Sequence, residues 1–338
     1  MASHKIIPYW VNIREAQNPG HSWDLEEIIY SPARFDRDSI IDIFANFCES
    51  FVGDDALSTH ILREQQKTFT LEGYSRENRT LQGVMLVGRW GEGAFHFNVD
   101  DEVRDREARS PSDAVEIPYF FLMHLPERNT NRALFIIHKP GNSGAKKPFV
   151  TTFKNWLHDN IYIEFEAIVS ESLIEQIEDA DHLLRLKLRK DRVADAPHQR
   201  LGGIFEDERE VKQVVEFSAR EGPDLPLNRE NMLERLRGLL QSSNNTSPAT
   251  TSILGEEFNE AKLTIEEDGS RRTFSINDDE VNMERIIEPE EDNISFDHQR
   301  HPKPHSMSRV SIEFANSILR RHQEPEISED LQLENGII

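Results

Sequence analysis

The feature that most constrains the fold is a short segment in which leucines alternate with positively charged residues. Its members are Leu184, Arg185, Leu186, Lys187, Leu188 and Arg189. Successive side chains of a β-strand point to opposite faces, so the alternation predicts a strand over 183–190. One face of that strand would pack on a core, and the other would present guanidinium and ammonium groups to solvent.

This concentration of positive charge stands out because the chain as a whole is strongly acidic. Its 338 residues include 62 Asp and Glu against 39 Lys and Arg, which gives a formal net charge of −23. A surface of this kind repels polyanions, so any contact with nucleic acid must be local. An acidic surface is also typical of salt-tolerant proteins, and the sequence leaves both interpretations open. The length allows two domains.

The single cysteine and the lengths of the apolar runs restrict cofactors and location. Cys48 lies among apolar residues at helical spacing, which predicts a buried thiol and excludes an intrachain disulfide or a cysteine-based metal cluster. No apolar run approaches the roughly 20 residues of a membrane span, and the N-terminus lacks the apolar segment of a signal peptide. We therefore expect a cytoplasmic protein without membrane insertion and without a cofactor.

The clearest order of elements lies between residues 117 and 190. Strands and helices alternate there as β-β-α-β-α-β, at 119–125, 133–138, 147–157, 161–169, 171–177 and 183–190. This order predicts an α+β fold in which a mixed sheet carries its helices on one face. The basic residues of the last strand then fit either a sheet with one solvated face or an edge strand.

The flanking segments are assigned from the same periodicities. We predict strands at 5–14, 68–74, 80–87, 94–99 and 211–218, helices at 36–51, 229–240 and 310–321, a charged loop at 100–113 and a hairpin at 261–276. The glycine-rich stretch 88–93 is expected to join two strands as a turn. We place an N-terminal α/β domain with a β-rich insert at 1–205, and a smaller α/β C-terminal region with acidic linkers at 206–338.

Nine basic residues form the candidate nucleic-acid-binding face. They are Lys139, Lys146, Lys147, Lys154, Arg185, Lys187, Arg189, Lys190 and Arg192. Such a face would contact phosphates, so binding would be salt-sensitive and indifferent to base sequence. The same charges would also arise as solvated strand residues paired with nearby Glu and Asp, or as lysines that discourage edge-to-edge pairing. The sequence alone does not choose between these interpretations.

A loop that contains glycines and lysines, PGNSGAKK at 140–147, follows a predicted strand and opens a predicted helix. Amide N–H groups at a helix start can bind an anion. The glycines are closely spaced and no Ser or Thr follows the lysines, so the loop lacks the pattern of a nucleotide-hydrolysing P-loop. A phosphate of a nucleic-acid backbone is the ligand that this loop fits.

Two further groups contain residue types that bind metals. The segment 297–305 holds Asp297, His298, His301 and His305. These ligand types suit zinc or manganese, but the intervening prolines predict an extended, exposed loop. Glu164 and Glu166 would face the same way on one strand, as the paired carboxylates of a metal-dependent nuclease do. Their simpler role is to pair with the basic strand across the sheet, and we assign no metal site.

Four stretches show an order of elements found in a known family: 119–123, 133–139, 141–144 and the strand–helix–strand segment 161–190. In that order and in their apolar pattern they resemble the RexA-like phage-exclusion proteins and related prokaryotic antiviral defence proteins. The resemblance covers about residues 80–195. It implies a dimeric, intracellular DNA-binding protein with little sequence preference that acts in abortive infection or phage sensing. The nine basic residues would make the DNA contact.

Three functions remain open at this point. The sequence favours a non-enzymatic homodimer that binds nucleic acid, as DNA backbone, without sequence preference and acts in phage defence. The second is an acidic interaction subunit that binds a protein partner within a defence system. The third is a metal-dependent nuclease whose carboxylates the sequence does not single out.

Overall fold

The structure is a computed structural model that describes most of the chain. The described residues are 4–15, 23–30, 35–52, 59–91, 94–98, 103–141, 144–157, 161–168, 177, 180–190, 213–218, 225, 251–253, 256–258, 260–267, 270–277, 281–331 and 333. The chain forms two compact units, one of Met1–Glu166 together with Ile287–Ile338 and the other of Ala167–Ile286. The first unit therefore combines the N-terminal half of the chain with its C-terminal segment.

An antiparallel sheet runs through the first unit. The elements are β1 (His4–Glu15), β2 (Ile28–Tyr30), β3 (Phe35–Asp38), α1 (Ile40–Val52), β4 (His60–Leu62), β5 (Lys67–Glu77), β6 (Thr80–Arg89), β7 (Ala94–Asn98), β8 (Val103–Arg109), β9 (Val115–His124), β10 (Ala133–Pro140), α2 (Lys146–Trp156), β11 (Ile161–Ala167) and α3 (Pro304–Arg321). The strand order is β4-β5-β6-β9-β10-β1, and β11 also pairs with β1. β2 with β3 and β7 with β8 form separate hairpins.

Helix α1 begins at a side-chain cap. The Asp42 N–H donates to Ser39 Oγ at 3.1 Å, and the Ser39 N–H donates to Asp42 Oδ2 at 2.9 Å. These two reciprocal bonds form a capping box, which satisfies N–H groups that have no partner inside the helix. The apolar residues that follow recur at helical spacing, and nearly all of them are buried. The helix therefore presents one continuous apolar face to the sheet.

The main core lies between one face of the sheet and helices α1 and α2. Phe44 of α1 is fully buried at its centre. Its ring packs against Phe121 and Phe135 of the sheet, at centroid distances of 5.7 and 6.3 Å. It also packs against Phe149 and Phe153 of α2, at 5.4 and 5.3 Å. All four pairs meet edge to face, a favourable arrangement of aromatic rings.

Helix α3 covers part of the opposite face of the same sheet. Gln82 of β6 is fully buried there and accepts a hydrogen bond from Ser308 Oγ at 2.7 Å. Its Nε2 donates to the carbonyl oxygen of Leu331, beyond the helix. Just after α3, the buried carboxylate of Glu324 accepts the Arg128 N–H at 2.9 Å. These buried polar contacts fix the C-terminal segment on the sheet, because an unpaired polar group would cost free energy there.

Antiparallel strands make up most of the described part of the other unit. Its strands are β12 (His182–Lys190), β13 (Gln213–Ser218), β14 (Thr251–Ile253), β15 (Glu256–Phe258), β16 (Glu260–Glu267), β17 (Ser270–Asn277) and β18 (Val281–Ile287). The strand order is β13-β12-β16-β17-β18, while β14 and β15 form a small hairpin. Leu183, Leu186 and Leu188 of β12 are buried. An irregularity at Leu184 shifts the alternation by one residue.

This architecture corrects the predicted fold class. The prediction was an α+β fold in which a mixed sheet carries its helices on one face in the order β-β-α-β-α-β. The described strands instead pair antiparallel wherever a register is defined, and the described α-helices α1, α2 and α3 lie on both faces of the sheet in the first unit. The chain is therefore largely β. The prediction was wrong because it followed element order, whereas short connections pair neighbouring strands as antiparallel hairpins.

Individual elements agree with the prediction more closely than the fold class does. Strands β5 and β6, helix α2 and the hairpins β9–β10 and β16–β17 occur where they were expected. The predicted pairing within 80–99 was wrong: β6 pairs with β9, and β7 pairs with β8 inside the expected loop. Gly88 is part of β6. The predicted helix 229–240 lies outside the described residues. So do residues 171–176 of the helix predicted at 171–177.

Buried histidines make the stability of the first unit depend on pH. Nε2 of His138 lies 3.0 Å from Nδ1 of His4, and burial, with His4 and His301 nearby, lowers the pKa of His138 from 6.5 to about 3. Burial also lowers the pKa of His124 to about 4. The unfolded chain takes up these protons below pH 6.5 and the folded protein does not. The free energy of unfolding therefore falls as pH decreases from 6.5 towards these values.

We expect His138→Gln to lose part of this pH dependence. One proton bound only by the unfolded state lowers stability by about 1.4 kcal/mol per pH unit below 6.5. Urea unfolding at about pH 7 and about pH 5 measures the difference. His298→Gln, at an exposed histidine, serves as the control and should keep the wild-type dependence. An unchanged dependence in His138→Gln would contradict the interpretation.

The aromatic core gives a second prediction. Phe44→Ala should lower the free energy of unfolding by about 3–5 kcal/mol, because it removes the central ring and leaves a cavity. Val52→Ala, at the 43% exposed end of the same helix, should cost less than about 1 kcal/mol. Urea unfolding followed by tryptophan fluorescence compares the two variants. Equal urea midpoints for the two variants would contradict the central position of Phe44 in the core.

Candidate anion-binding site

The candidate site lies where strands β5 and β6 meet the start of helix α2. The sheet register pairs Lys67, the first residue of β5, with Arg89, the last residue of β6. Lys147 lies in the first turn of α2, and Gly144 precedes that helix at the end of the glycine loop. We call Lys67, Arg89 and Lys147 the cation cluster.

Lys67 experiences the charges of both other members of the cation cluster. Its side chain is partly buried, and its Nζ donates to the carbonyl oxygen of Gly144 at 3.2 Å. Burial lowers the pKa of Lys67, and the positive charges of Lys147 and Arg89 lower it further. A lysine pKa depressed by neighbouring cations indicates an excess of local positive charge. The cation cluster is therefore a candidate anion-binding site.

Hydrogen bonds between separate elements hold the backbone around the cluster. Gln65 Nε2 donates to Thr151 Oγ1 of α2 at 3.0 Å, which fixes the turn before β5 against the helix. The Trp90 N–H donates to the carbonyl oxygen of Gln66 at 3.2 Å and extends the pairing of β5 with β6. Gln66 adopts a left-handed conformation with φ of 51°. The charged side chains thus project from a fixed frame.

The start of α2 adds backbone polarity to the cluster. Its N-cap, Ala145, makes no side-chain capping bond, and its first turn contains no acidic residue. Pro148 lacks an N–H group, which costs little in the first turn because those groups have no partner inside the helix. The helix dipole places partial positive charge at this end. An anion beside Lys147 would therefore meet both side-chain and backbone positive charge.

The other predicted basic residues of the first unit lie in different surroundings. Lys146 Nζ lies 3.8 Å from the centroid of the Tyr9 ring and 3.4 Å from the Phe165 carbonyl oxygen. Lys154 Nζ lies 4.8 Å from the centroid of the Tyr162 ring. Lys139 is partly buried on β10. Of the four predicted residues in this unit, only Lys147 belongs to the cation cluster.

The basic residues of β12 belong to the second unit, and two of them, Arg185 and Lys187, lie near an acidic residue. Arg185 Nε lies 3.4 Å from Glu216 Oε1, and Lys187 Nζ lies 3.8 Å from Glu216 Oε2. Glu216 is on β13, and β12 lies between β13 and β16, so β12 is not an edge strand. This arrangement agrees with the alternative of cross-strand charge pairing for Arg185 and Lys187.

The remaining predicted residues complete the distribution. Arg189 is partly buried on β12, the side chain of Lys190 is not described, and Arg192 lies outside the described residues. The nine predicted residues thus divide between the two units, with 139–154 in the first and 185–192 in the second.

The sequence prediction missed Lys67 and Arg89. Both follow from the predicted strands 68–74 and 80–87 if these form a hairpin, since antiparallel pairing brings the outer ends of two such strands together. The proximity of Lys147 does not follow from any local pattern. It depends on how α2 packs on the sheet, and that packing involves residues far apart in the chain.

The groups considered for metal binding have other partners. Glu164 Oε2 lies 2.8 Å from Arg14 Nη2 on β1, so the prediction that it pairs with the basic strand was wrong. His301 Nδ1 lies 3.6 Å from Asp297 Oδ2. Within the described part of the chain, no group of three or more His, Cys, Asp or Glu side chains is arranged to hold a metal ion.

Comparisons with known proteins leave the function to be inferred from the site. A search against protein-family models found no match, and a search of curated proteins found none either. Among the helices that the structure describes, none is both long and apolar enough to cross a membrane. The cation cluster is therefore the starting point for a functional proposal.

The electrostatics of the cluster can be tested directly. Lys147→Ala should raise the pKa of Lys67 towards its ordinary value of 10.5, because it removes a neighbouring positive charge. An NMR titration of lysine side chains in the labelled protein measures this pKa. Lys154→Ala removes an exposed lysine from the same helix and should leave it unchanged. If both variants leave the Lys67 pKa at its wild-type value, the cation cluster does not form.

Proposed function

We propose that the cation cluster binds the phosphate backbone of nucleic acid without base-sequence preference, and that the protein acts by binding rather than by catalysis. The observation that carries this proposal is the position of Lys67, partly buried between Arg89 and Lys147 at the start of α2. Three cations and a helix N-terminus meet there without an acidic residue in the first turn of the helix. Phosphate oxygens match such a site in charge and in hydrogen-bonding capacity.

The charge of the whole protein explains why this binding would be local and salt-sensitive. A formal net charge of −23 repels a polyanion, so only a concentrated cluster can hold one. Neutralising three phosphates of a duplex releases counterions, and affinity would then fall by about 40-fold between 50 and 200 mM salt. Contacts of lysine and arginine with phosphate position a duplex without reading its bases. The proposed binding is therefore indifferent to sequence.

The proposed biological role is phage defence or abortive infection by a cytoplasmic homodimer. It rests on the resemblance to RexA-like proteins over about residues 80–195, a range that includes Arg89 and Lys147. Two copies of the cluster in one dimer would engage a duplex together, which strengthens weak individual contacts.

Charge neutralisation within the cluster tests the proposal. Lys67→Gln and Lys147→Gln should each weaken binding by roughly 5–10-fold on two duplexes of unrelated sequence, and should reduce the salt slope by about 1. Fluorescence anisotropy at two salt concentrations measures both quantities. Magnesium is included in a parallel series, and the DNA is inspected afterwards and should remain intact.

Lys187→Gln is the matched control, because it neutralises a lysine that already faces Glu216. Its effect on binding should be smaller than that of either cluster variant. A larger loss in Lys187→Gln would move the binding surface to β12. No binding by the wild-type protein at low salt would overturn the proposal, and cleaved DNA would overturn its non-enzymatic part.

A further inference from the structure

A concave site lies next to the start of α3, on the face of the first unit's sheet opposite to α1 and α2. It has a volume of about 650 Å³. Its lining comprises Glu72, Val84, Leu86, Glu116, Pro118, Phe120, His138, Asp297, His298, Gln299, His301, Pro302, Lys303, Pro304, His305, Met307 and Leu333. We call this site the acidic groove. All of its residues belong to the first unit.

The floor of the acidic groove is apolar because of strand alternation. Leu86 of β6 pairs with Pro118 of β9, and Val84 pairs with Phe120. These residues alternate along their strands with the residues that face the aromatic core, so they project on the other side of the sheet. Val84 and Phe120 are buried, whereas Leu86 and Pro118 are partly exposed and leave a strip of hydrocarbon surface between the neighbouring strands. Such a strip suits an alkyl chain.

A carboxylate flanks this strip at each end. Glu72 is the extra residue of a β-bulge in β5, since Leu71 pairs with Met85 and Gly73 with Val84. Bulges of this kind commonly re-aim a side chain. Glu116 lies on β9, where its Oε1 accepts a hydrogen bond from Thr68 Oγ1 at 2.9 Å.

The absence of a side chain at Gly88 lets Thr68 reach Glu116 across β6, because a Cβ atom there would clash with both residues. Among the described residues, neither Glu72 nor Glu116 has a lysine or arginine as a salt-bridge partner. Burial raises the pKa of Glu72, as expected for a carboxylate without a compensating charge. Both glutamates are exposed at the surface, where a cation in the groove can reach their carboxylates.

The spacing of the two carboxylates limits the shape of such a cation. They lie on strands two apart in the sheet, and the register offsets them by three to four residues. From the usual strand spacing and rise, their Cα atoms are roughly 15 Å apart. A single ammonium group cannot contact both. A chain with amines near its two ends and methylene groups between them can.

The remaining polar groups of the groove are compatible with a cation. Asp297 Oδ1 accepts the backbone N–H of His301 at 2.8 Å, and its Oδ2 lies 3.6 Å from Nδ1 of the same residue. The ring of His138 is 2% exposed, and its only hydrogen bond among the described residues joins its Nε2 to His4. Lys303 is exposed at the rim. A neutral imidazole offers a lone pair to an ammonium group.

We propose that the acidic groove binds a linear aliphatic polyamine. Its terminal ammonium groups pair with Glu72 and Glu116, and its methylene groups lie on the partly exposed strip of Leu86 and Pro118. This inference goes beyond the proposed nucleic-acid binding and uses none of the residues of the cation cluster.

Binding should weaken as the pH falls. The titratable or charged groups that line the groove are Glu72 on β5, Glu116 on β9, His138 on β10, and Asp297, His298, His301, Lys303 and His305 from the C-terminal segment. Burial raises the pKa of Glu72, and protonation of this carboxylate removes one of the negative charges that hold the amines.

Calorimetric titration of the full chain with spermidine, in the absence of nucleic acid, tests the proposal. Butylamine, which has one amine, and 1,8-octanediol, which has the chain without charge, are the comparison ligands. Spermidine should bind at least about tenfold more tightly than butylamine, and the diol should not bind measurably. Glu72→Gln and Glu116→Gln should each weaken spermidine binding by about tenfold. The amide of the second variant can still accept the Thr68 hydrogen bond.

Glu127→Gln is the matched control, because it removes an exposed carboxylate of the same unit outside the groove. It should bind spermidine like the wild-type protein, as should Lys67→Gln. Urea unfolding verifies that each variant folds. Equal affinity for spermidine and butylamine would overturn the proposal, as would wild-type affinity in both groove variants. Neither result would bear on nucleic-acid binding, which depends on other residues.

Discussion

Packing of aromatic rings between two helices and one sheet is the interaction on which the rest of the first unit depends. Phe44 contacts rings from both the sheet and α2, so a single cluster determines where α2 lies. The position of α2 in turn places Lys147 near Lys67, an arrangement that no local pattern specifies. The candidate anion site is therefore a consequence of the core. A change in the core that moved α2 would also disperse the positive charge, even with every lysine in place.

Strand alternation then separates the charges of this unit. Lys67 and Arg89 lie on the face of the sheet that packs against α1 and α2, whereas Glu72 and Glu116 lie on the opposite face. The sheet stands between the two groups, so the carboxylates are not placed to neutralise the cations. This separation explains how a chain with a formal net charge of −23 can keep a cluster in which burial, Lys147 and Arg89 lower the pKa of Lys67.

Local sequence patterns correctly predicted several helices and strands. They did not predict which strands pair or which residues distant in the chain come together. Helix α2 and the β9–β10 hairpin have clear periodicity and a short connection, so both were predictable. The pairing of β6 with β9 was not predictable, because β6 could also have paired with the strand that follows it in the chain. The observed pairing depends on the tertiary packing of both strands. Bulges at Glu72 and Leu184 also shift strand parity by one residue, which no alternating pattern indicates. Lys67 was missed for a related reason, since its significance comes from residues distant in the chain.

The strand with the most conspicuous charge illustrates why pattern alone does not locate a binding site. Arg185 and Lys187 dominate the sequence pattern, yet both lie near the same glutamate on the adjacent strand. A cation that already faces a carboxylate gains less from a phosphate, because exchanging one anion for another changes the electrostatic energy little. Lys67 lies in the opposite situation, since its neighbours are cations and its pKa is depressed. An approaching phosphate relieves that repulsion as well as supplying attraction, so the less conspicuous residue gains more from binding.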